Sequence, residues 1–491
     1  MKKRLILITI DCLRRDRLKV YGHSKNIAPH LNKLSEGAFI FKNAVTNGPN
    51  TPPSFYAMFT SEFPLLYNNY VPLPPYKKKI SEILQKNGIT TCGIHSNAHL
   101  GKIFNYHLGF DEFIDVVAEP QFSLRRKLSN SFYSFLNLFG IKKRVINKIK
   151  ASIIKILNFE YMVNTSYRAN KTNSPYSNAK TIITHAINWL ENNYESNFFL
   201  WIHMMDVHGP YYPPKEYIQK ISNENTLKSY YQYFERINNF YRPVPESYEK
   251  KDDMLCDIIT TLYNAEILYC DHYLGILFQY LKNRDIYDGT TIIITSDHGE
   301  ELFERNYLGH SASLYDEILR IPFIFKLDNS LNEQKIINEQ VQLIDLAPTI
   351  LDLLNLPKEQ DFMGLSLIPL INGEINYKHT KYALSASLQN NKRNYNGLIK
   401  RINDFYLFIS VRTLNWKLIY SDQEKKVQFF NLKEDPDELV DLSESSNEVV
   451  LQSKKKLFEK IEPFLKRYNS EDEKIKRAID KNALKYLIKK Q

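Results

Sequence analysis

Five short, largely apolar runs constrain this chain more than any other feature: Leu5–Ile10, Thr90–His95, Phe198–His203, Thr291–Thr295 and Ile321–Phe325. Each has the length of a strand and little of the polar alternation that one wet face would impose. Each therefore reads as an interior strand of a parallel sheet. Helical patterns lie between them, for example Ala179–Glu191 and Thr260–Leu281, whose apolar residues recur at mixed spacings of three and four. Strands alternating with helices predict an α/β fold with a doubly wound, mostly parallel sheet. Trp416–Tyr420 and Phe429–Leu432 read as antiparallel strands of a small C-terminal subdomain, with a turn at Asp435-Pro436-Asp437. The expected layout is a principal domain over 1–375, a small β subdomain over 376–445 and a helical, basic tail over 446–491.

With 43% hydrophobic and 24% charged residues the chain is neither disordered nor fibrous. The four cysteines, at 12, 92, 256 and 270, are too sparse for a disulfide scaffold and too far apart for a zinc knuckle. A reducing compartment suits them. Met1–Ile10 opens like an export signal, but Asp11 interrupts the apolar run short of the roughly 7–15 residues such a signal needs. The segment reads as a buried first strand, and the expected location is cytoplasmic. No window approaches the roughly 18 apolar residues of a membrane span.

The net charge of +10 is unevenly placed. Residues 121–159 contain no acid, yet carry Arg125, Arg126, Lys127, Lys142, Lys143, Arg144, Lys148, Lys150 and Lys155. Ile141, Val145, Ile146, Ile149, Ile153 and Ile156 share one helical face of this insertion. Two readings are open: a helical cap over the site with a solvated lysine face, or a basic amphipathic helix making peripheral membrane contact. The second would make the substrate lipid-linked. No nucleic-acid signature accompanies the charge, and no nucleic-acid partner is expected.

In doubly wound sheets ligands sit outside the carboxyl ends of the strands, so the residues after each run matter. Asp11 follows the first, Asp206-Val207-His208 comes after the third, and Ser296-Asp297-His298-Gly299 follows the fourth. Asp11, Asp297 and His298 bring hard carboxylates and an imidazole to one edge, the donor set of a divalent metal. Asp206 and His208 are two residues apart and face the same way on extended backbone. His203 reads as a core histidine, and Asn97 as either a donor to the reacting group or a turn residue. Asp271 and His272 lie in a helical pattern and read as structural. Glu300 and Glu301 would fall in the first turn of a following helix and complement its dipole, without a catalytic role.

At these residues the sequence resembles the sulfatase family of the alkaline phosphatase superfamily. The motifs are Leu7-Ile-Thr-Ile-Asp-Cys-Leu-Arg-Arg-Asp16, Ala28–Leu34, Gly37–Ala44, Thr51-Pro-Pro-Ser-Phe-Tyr-Ala-Met-Phe-Thr60 and Gly109–Phe113. They continue through Thr295–Gly299, Leu314–Pro322, Leu343–Thr349, Gly364–Leu367 and Glu434–Glu438. The resemblance implies an alkaline phosphatase-like fold and a metal-dependent hydrolase or transferase of anionic esters. It implies that Asp11, Thr51, Asp297 and His298 hold the metal. By the same resemblance His208 and His310 contact the transferred group or, with Asp206, form a second metal site about 4 Å away.

Departures from the family pattern refine this. Thr51 stands where a sulfatase carries the cysteine converted to formylglycine, Phe55 where it carries arginine, and Cys12 where a second adjacent carboxylate is usual. The likeness is then to the phosphoesterase and phosphotransferase branches, whose unmodified threonine is both nucleophile and ligand of zinc or manganese; calcium is the alternative ion. Sulfuric ester hydrolysis is the second expectation. A non-catalytic surface-binding scaffold, motivated by Cys12 and Phe55, is the third.

Overall fold

The computed structural model describes residues 2–64, 72–116, 178–222, 253–305, 307–310, 313–328, 334–374, 381–390, 405–422 and 424–466. The basic insertion at 121–159 and the tail beyond 466 lie outside the described residues.

Ten strands belong to the first part of the chain: β1 (Arg4–Ile10), β2 (Phe39–Val45), β3 (Thr90–His95), β4 (Glu112–Asp115), β5 (Phe198–Met204), β6 (Thr291–Thr295), β7 (Glu301–Leu302), β8 (Leu308–Gly309), β9 (Phe323–Lys326) and β10 (Lys335–Gln342). Eight of them form one sheet in the order β10-β2-β9-β6-β1-β5-β3-β4, while β7 and β8 make a separate two-stranded ribbon. β1 sits centrally, parallel to both β5 and β6.

Alternation along the central strands explains why their sequences are apolar throughout. Ile6, Ile8 and Ile10 face one core, with the helices Ala179–Asn193 and Asp253–Asn283. Leu5 and Leu7 face the other, with Phe55 and Phe59 of the Thr51–Thr60 helix and Leu346, Ile350 and Leu351 beyond. Phe199 and Trp201 of β5 join this second core, whereas Phe198, Leu200 and Ile202 join the first. Each of these strands is covered on both sides, the condition for a parallel sheet.

One expected strand runs the other way. Phe323–Lys326 begins two residues later than the apolar run suggested and pairs antiparallel with both β6 and β2. The chain leaves β6 at its carboxyl edge and stays there, where Gly299 N–H donates to Ile318 O at 2.7 Å. The next strand can only start from that edge and run back. β4 and β10 were not foreseen because they are edge strands, and polar edges carry no interior signature. β2 was read as part of a family segment, its pattern broken by half-buried Lys42 and Asn43.

A second sheet follows, an antiparallel meander of β11 (Ala383–Asn390), β12 (Phe405–Arg412), β13 (Trp416–Ser421) and β14 (Lys426–Asn431). Residues 448–466 are helical and pack Val450, Leu457 and Ile461 against Leu418 and Phe429. A buried ionic cluster ties this sheet to the first. Asp316 accepts from Arg412 at 3.0–3.2 Å and from Lys417 at 2.8 Å, and Lys417 also meets Glu438 at 2.7 Å. Burial alone would raise Asp316, but Arg412 and Lys417 more than reverse this and hold it far below the usual carboxylate range. Breaking a buried pair costs about 3–5 kcal/mol because it strands the partner charge. Lys417→Met is therefore expected to lower stability by about that amount. Urea titration followed by the fluorescence of the neighbouring Trp416 would read it, and an unchanged midpoint would contradict the role given to the cluster.

Candidate active site

Strand register builds the site. Thr9 of β1 lies opposite His203 of β5 and Thr295 of β6. Asp11 and Asp297, each two residues further on, emerge side by side. Asp11 N–H extends the ladder to Met204 O at 2.9 Å, which fixes its backbone. Asp11, Asp297 and His298 are fully buried and Thr51 nearly so.

Thr51 is the first residue of its helix, behind Asn50 as the N-cap. Its hydroxyl donates to Asp11 Oδ2 at 3.3 Å. Pro52 and Pro53 fill the helical positions that need no N–H, and the positive end of the helix dipole meets the carboxylates. Asn97 Nδ2 donates to the same Asp11 oxygen at 3.0 Å while its Oδ1 accepts from His99 N–H, so it is turn residue and donor at once.

His298 Nδ1 lies 2.8 Å from the Gly299 carbonyl, which can only accept, so Nδ1 carries the proton. Nε2 then faces Asp297 Oδ2 at 3.5 Å and Asp11 Oδ1 at 3.6 Å. Burial, with His310 adding to it, pushes His298 down to about 3, the neutral form a ligand requires. Gly299 is needed because a Cβ there would meet Glu317 O at 2.1 Å. The constraint is close backbone approach rather than a turn of unusual hand.

Burial disfavours charge on both carboxylates. Donors around Asp11, His203 first among them, keep it ionised; Asp297, buried beside that charge, is pushed well above the usual range. Asp297 Oδ2 and His298 Nε2 have no hydrogen-bond partner. Orphaned, buried donors of these types, with ligand atoms of Asp11, Asp297 and His298 within 4.8 Å of one another, fit a divalent cation.

Four sequence readings change here. His203 is buried, yet its Nε2 lies 3.3 Å from Asp11 Oδ2 and its Nδ1 2.9 Å from Thr9 Oγ1. Trp201 Nε1 donates in turn to Thr9 Oγ1 at 3.0 Å. It is a core histidine that holds a site carboxylate, a role visible only once β1 and β5 are in register. Asp206 does not join His208 and His310, because its Oδ1 accepts from Ala179 N–H at 2.8 Å and satisfies the start of the Ala179–Asn193 helix. Burial pushes it up to about 7. Glu300 and Glu301 do not start a helix. Glu301 opens β7, and the Glu300 carboxylate accepts from Tyr211 OH at 3.0 Å and sits 2.8 Å from His310 Nδ1. Cys12, expected only as a missing oxygen ligand, places Sγ 3.1 Å from Asp11 Oδ1 and 3.4 Å from His310 Nδ1. Asp271 is structural as read, accepting from the His30 and Leu31 N–H groups.

His208 and His310 do meet, with ring centroids 5.0 Å apart, and His310 lies 4.2 Å from His298 by the same measure. Phe55, one helical turn below Thr51, sets its ring 5.0 Å from that of His203 and 5.4 Å from that of Trp201, giving the site a dry floor. His99 is half-buried and pushed down to about 4 by burial and then by His208.

The family profile described as Sulfatase matches residues 3–356, and that of the N-sulphoglucosamine sulphohydrolase C-terminal region matches 311–463. Among curated relatives, arylsulfatase K of Gallus gallus is 25% identical over 452 residues, covering 87% of this chain and 76% of that protein. Arylsulfatase of Clostridium perfringens is 23% identical over 474 residues, covering 91% of each. In fold, the chain is similar to the phosphonate monoester hydrolase of Agrobacterium radiobacter, with a TM-score of 0.68, 16% identity and coverage of 93% and 95%. A structure solved with its substrate D-glucosamine-2-N,6-O-disulfate also gives a TM-score of 0.68, at 17% identity and coverage of 96% and 99%. With the larger profile spanning most of the chain on an alkaline phosphatase-like sheet, this protein belongs to the sulfatase family of ester hydrolases.

Proposed function

We propose that the chain hydrolyses or transfers an anionic ester through a covalent intermediate on Thr51, and that the ester is a phosphoester. The observation that carries this reading is the Thr51 hydroxyl, 3.3 Å from Asp11 at a helix N-terminus, where a formylglycine precursor would otherwise stand. Asp11, Asp297, His298 and Thr51 would hold a divalent cation, zinc or manganese before calcium, which neutralises the carboxylates and favours the alkoxide of Thr51.

Thr51 Oγ1 would lose its proton to solvent as the alkoxide forms, since Asp11 is held ionised, and attack phosphorus in line. The new O–P bond forms as the bond to the leaving oxygen breaks, and that oxygen takes a proton from His208 or His310 as it departs. Asn97 and His203 hold Asp11 in place throughout. His208 and His310 line the opposite side and steady the oxygens of the transferred group. Water or an alcohol then attacks phosphorus and returns Thr51 to its free form. A sulfated threonine has no such ready exit, because it lacks the second hydroxyl by which a formylglycine hydrate expels sulfate.

A second reading, hydrolysis of a sulfuric ester, has the more direct support of the relatives, whose names are arylsulfatases. A panel of aryl phosphates, phosphodiesters and aryl sulfates with zinc, manganese or calcium separates the two. We expect the phosphoesters to turn over faster; faster aryl sulfates would reverse the assignment.

Thr51→Ala should lower kcat on the order of 10⁴-fold or more, as loss of a nucleophile does. Mass spectrometry of protein quenched during turnover of a slow substrate should find the adduct on Thr51. Full turnover in the alanine variant would defeat the covalent route. Removal of divalent ions by a chelator should abolish turnover, and adding zinc or manganese back should restore it.

A further inference from the structure

The two-stranded ribbon stands apart from the main sheet, and its register brings two side chains together. β7 and β8 pair antiparallel with Glu301 opposite Gly309. The next positions in register, 300 and 310, therefore face one another at its open end. There Glu300 Oε1 lies 2.8 Å from His310 Nδ1.

Glu300 is held on every side. It is 1% exposed, its Oε2 accepts from Tyr211 OH at 3.0 Å and its backbone carbonyl accepts from Arg14 Nη1 at 3.0 Å. Tyr211 packs edge-on against Tyr263 with ring centroids 5.5 Å apart. Tyr263 in turn donates to Cys12 O at 2.6 Å, where the backbone is left-handed with φ 60°. Cys12 Sγ lies 3.4 Å from His310 Nδ1 and closes the same edge of that ring.

Among the described residues the Glu300 carboxylate has one ion-pair partner, His310. A buried charge is costly to leave uncompensated, so the fold favours the imidazolium of His310. His298 and His208 instead turn Nδ1 to the neutral carbonyls of Gly299 and Gly209. A carboxylate on Nδ1 fixes the ring, stabilises the imidazolium and leaves the proton on Nε2 as the one to be given up. The His310 side chain is 17% exposed while its Nδ1 edge is enclosed, so the edge carrying Nε2 is the one open to a substrate.

Resting on the covalent reading of the preceding section, we propose that Glu300 is a positioning residue that makes His310, rather than His208, the proton donor to the leaving oxygen. The Nε2–H bond breaks and an O–H bond forms on that oxygen as its bond to phosphorus breaks. His310 is left neutral, its Nδ1–H still on Glu300. When water attacks the Thr51 adduct, its proton passes to Nε2 as its oxygen bonds to phosphorus, and the imidazolium is restored.

The test compares aryl phosphates whose leaving phenols span a wide range of acidity, using the full-length, metal-loaded protein. Glu300→Gln should lower kcat/KM by about 10²–10⁴-fold on the esters of weakly acidic phenols, which need a proton to depart. It should change little on nitrophenyl esters, which do not; that retained activity also shows that the variant folds. His310→Asn should give the same steepened dependence, and the double variant should be no worse than His310→Asn alone, because Glu300 acts through that ring. A purely structural role would depress the whole series alike. A uniform loss, an unchanged series, or a steepened dependence in His208→Asn but not in His310→Asn would overturn the inference. If aryl sulfates prove the better substrates, the phosphoester reading falls, and the same series made with sulfates decides the role of Glu300 separately. Independently of turnover, a downfield imidazole N–H proton resonance in the wild type should vanish in Glu300→Gln and in His310→Asn; its survival in Glu300→Gln would also overturn the inference.

Discussion

Two carboxylates, Asp11 and Asp297, are fully buried side by side, and much of the structure answers to that fact. An uncompensated buried charge costs several kcal/mol, a large part of the 5–15 kcal/mol, roughly, that stabilises a domain. The molecule surrounds the pair with donors, the Thr51 hydroxyl, Asn97 and the backbone N–H groups of Cys12 and His298, and sets His203 Nε2 3.3 Å from Asp11. These lean toward Asp11 more than toward Asp297, whose Oδ2 stays unpaired. A divalent ion held there would supply the missing positive charge.

The departures from the family pattern make sense together. Arginine at position 55 would have put a cation under Thr51; phenylalanine seals the floor with Trp201 and His203. Cysteine at 12 removes a hard oxygen and supplies sulfur beside His310. Each change leaves a buried, ordered neighbour in its place, which argues against a scaffold that has merely lost its function.

The C-terminal sheet is also coupled to the site. Gly299 bonds to Ile318, and Asp316 of the same short helix is gripped by Arg412 and Lys417 of β12 and β13. The backbone behind His298 is thereby braced by residues more than a hundred positions away. Loss of that brace should loosen the close approach that admits no Cβ at Gly299.

The amino-acid pattern alone determined the mostly parallel sheet, most of its interior strands and the elements that end in Asp11 and Asp297-His298, because burial on two faces leaves a continuous apolar signature. It also identified Thr51 and the histidines at 208 and 310 as candidates through ordered motifs. Register and chain direction were decided only by the tertiary structure. A strand shows what its faces touch but not what lies opposite, so the reversal of Phe323–Lys326 and the contact between His203 and Asp11 could not be read locally. The direction of individual side chains was equally hidden. Asp206 turned to a helix N-terminus, Glu300 turned to His310 and Cys12 was held in a left-handed turn, each through a partner distant in the chain.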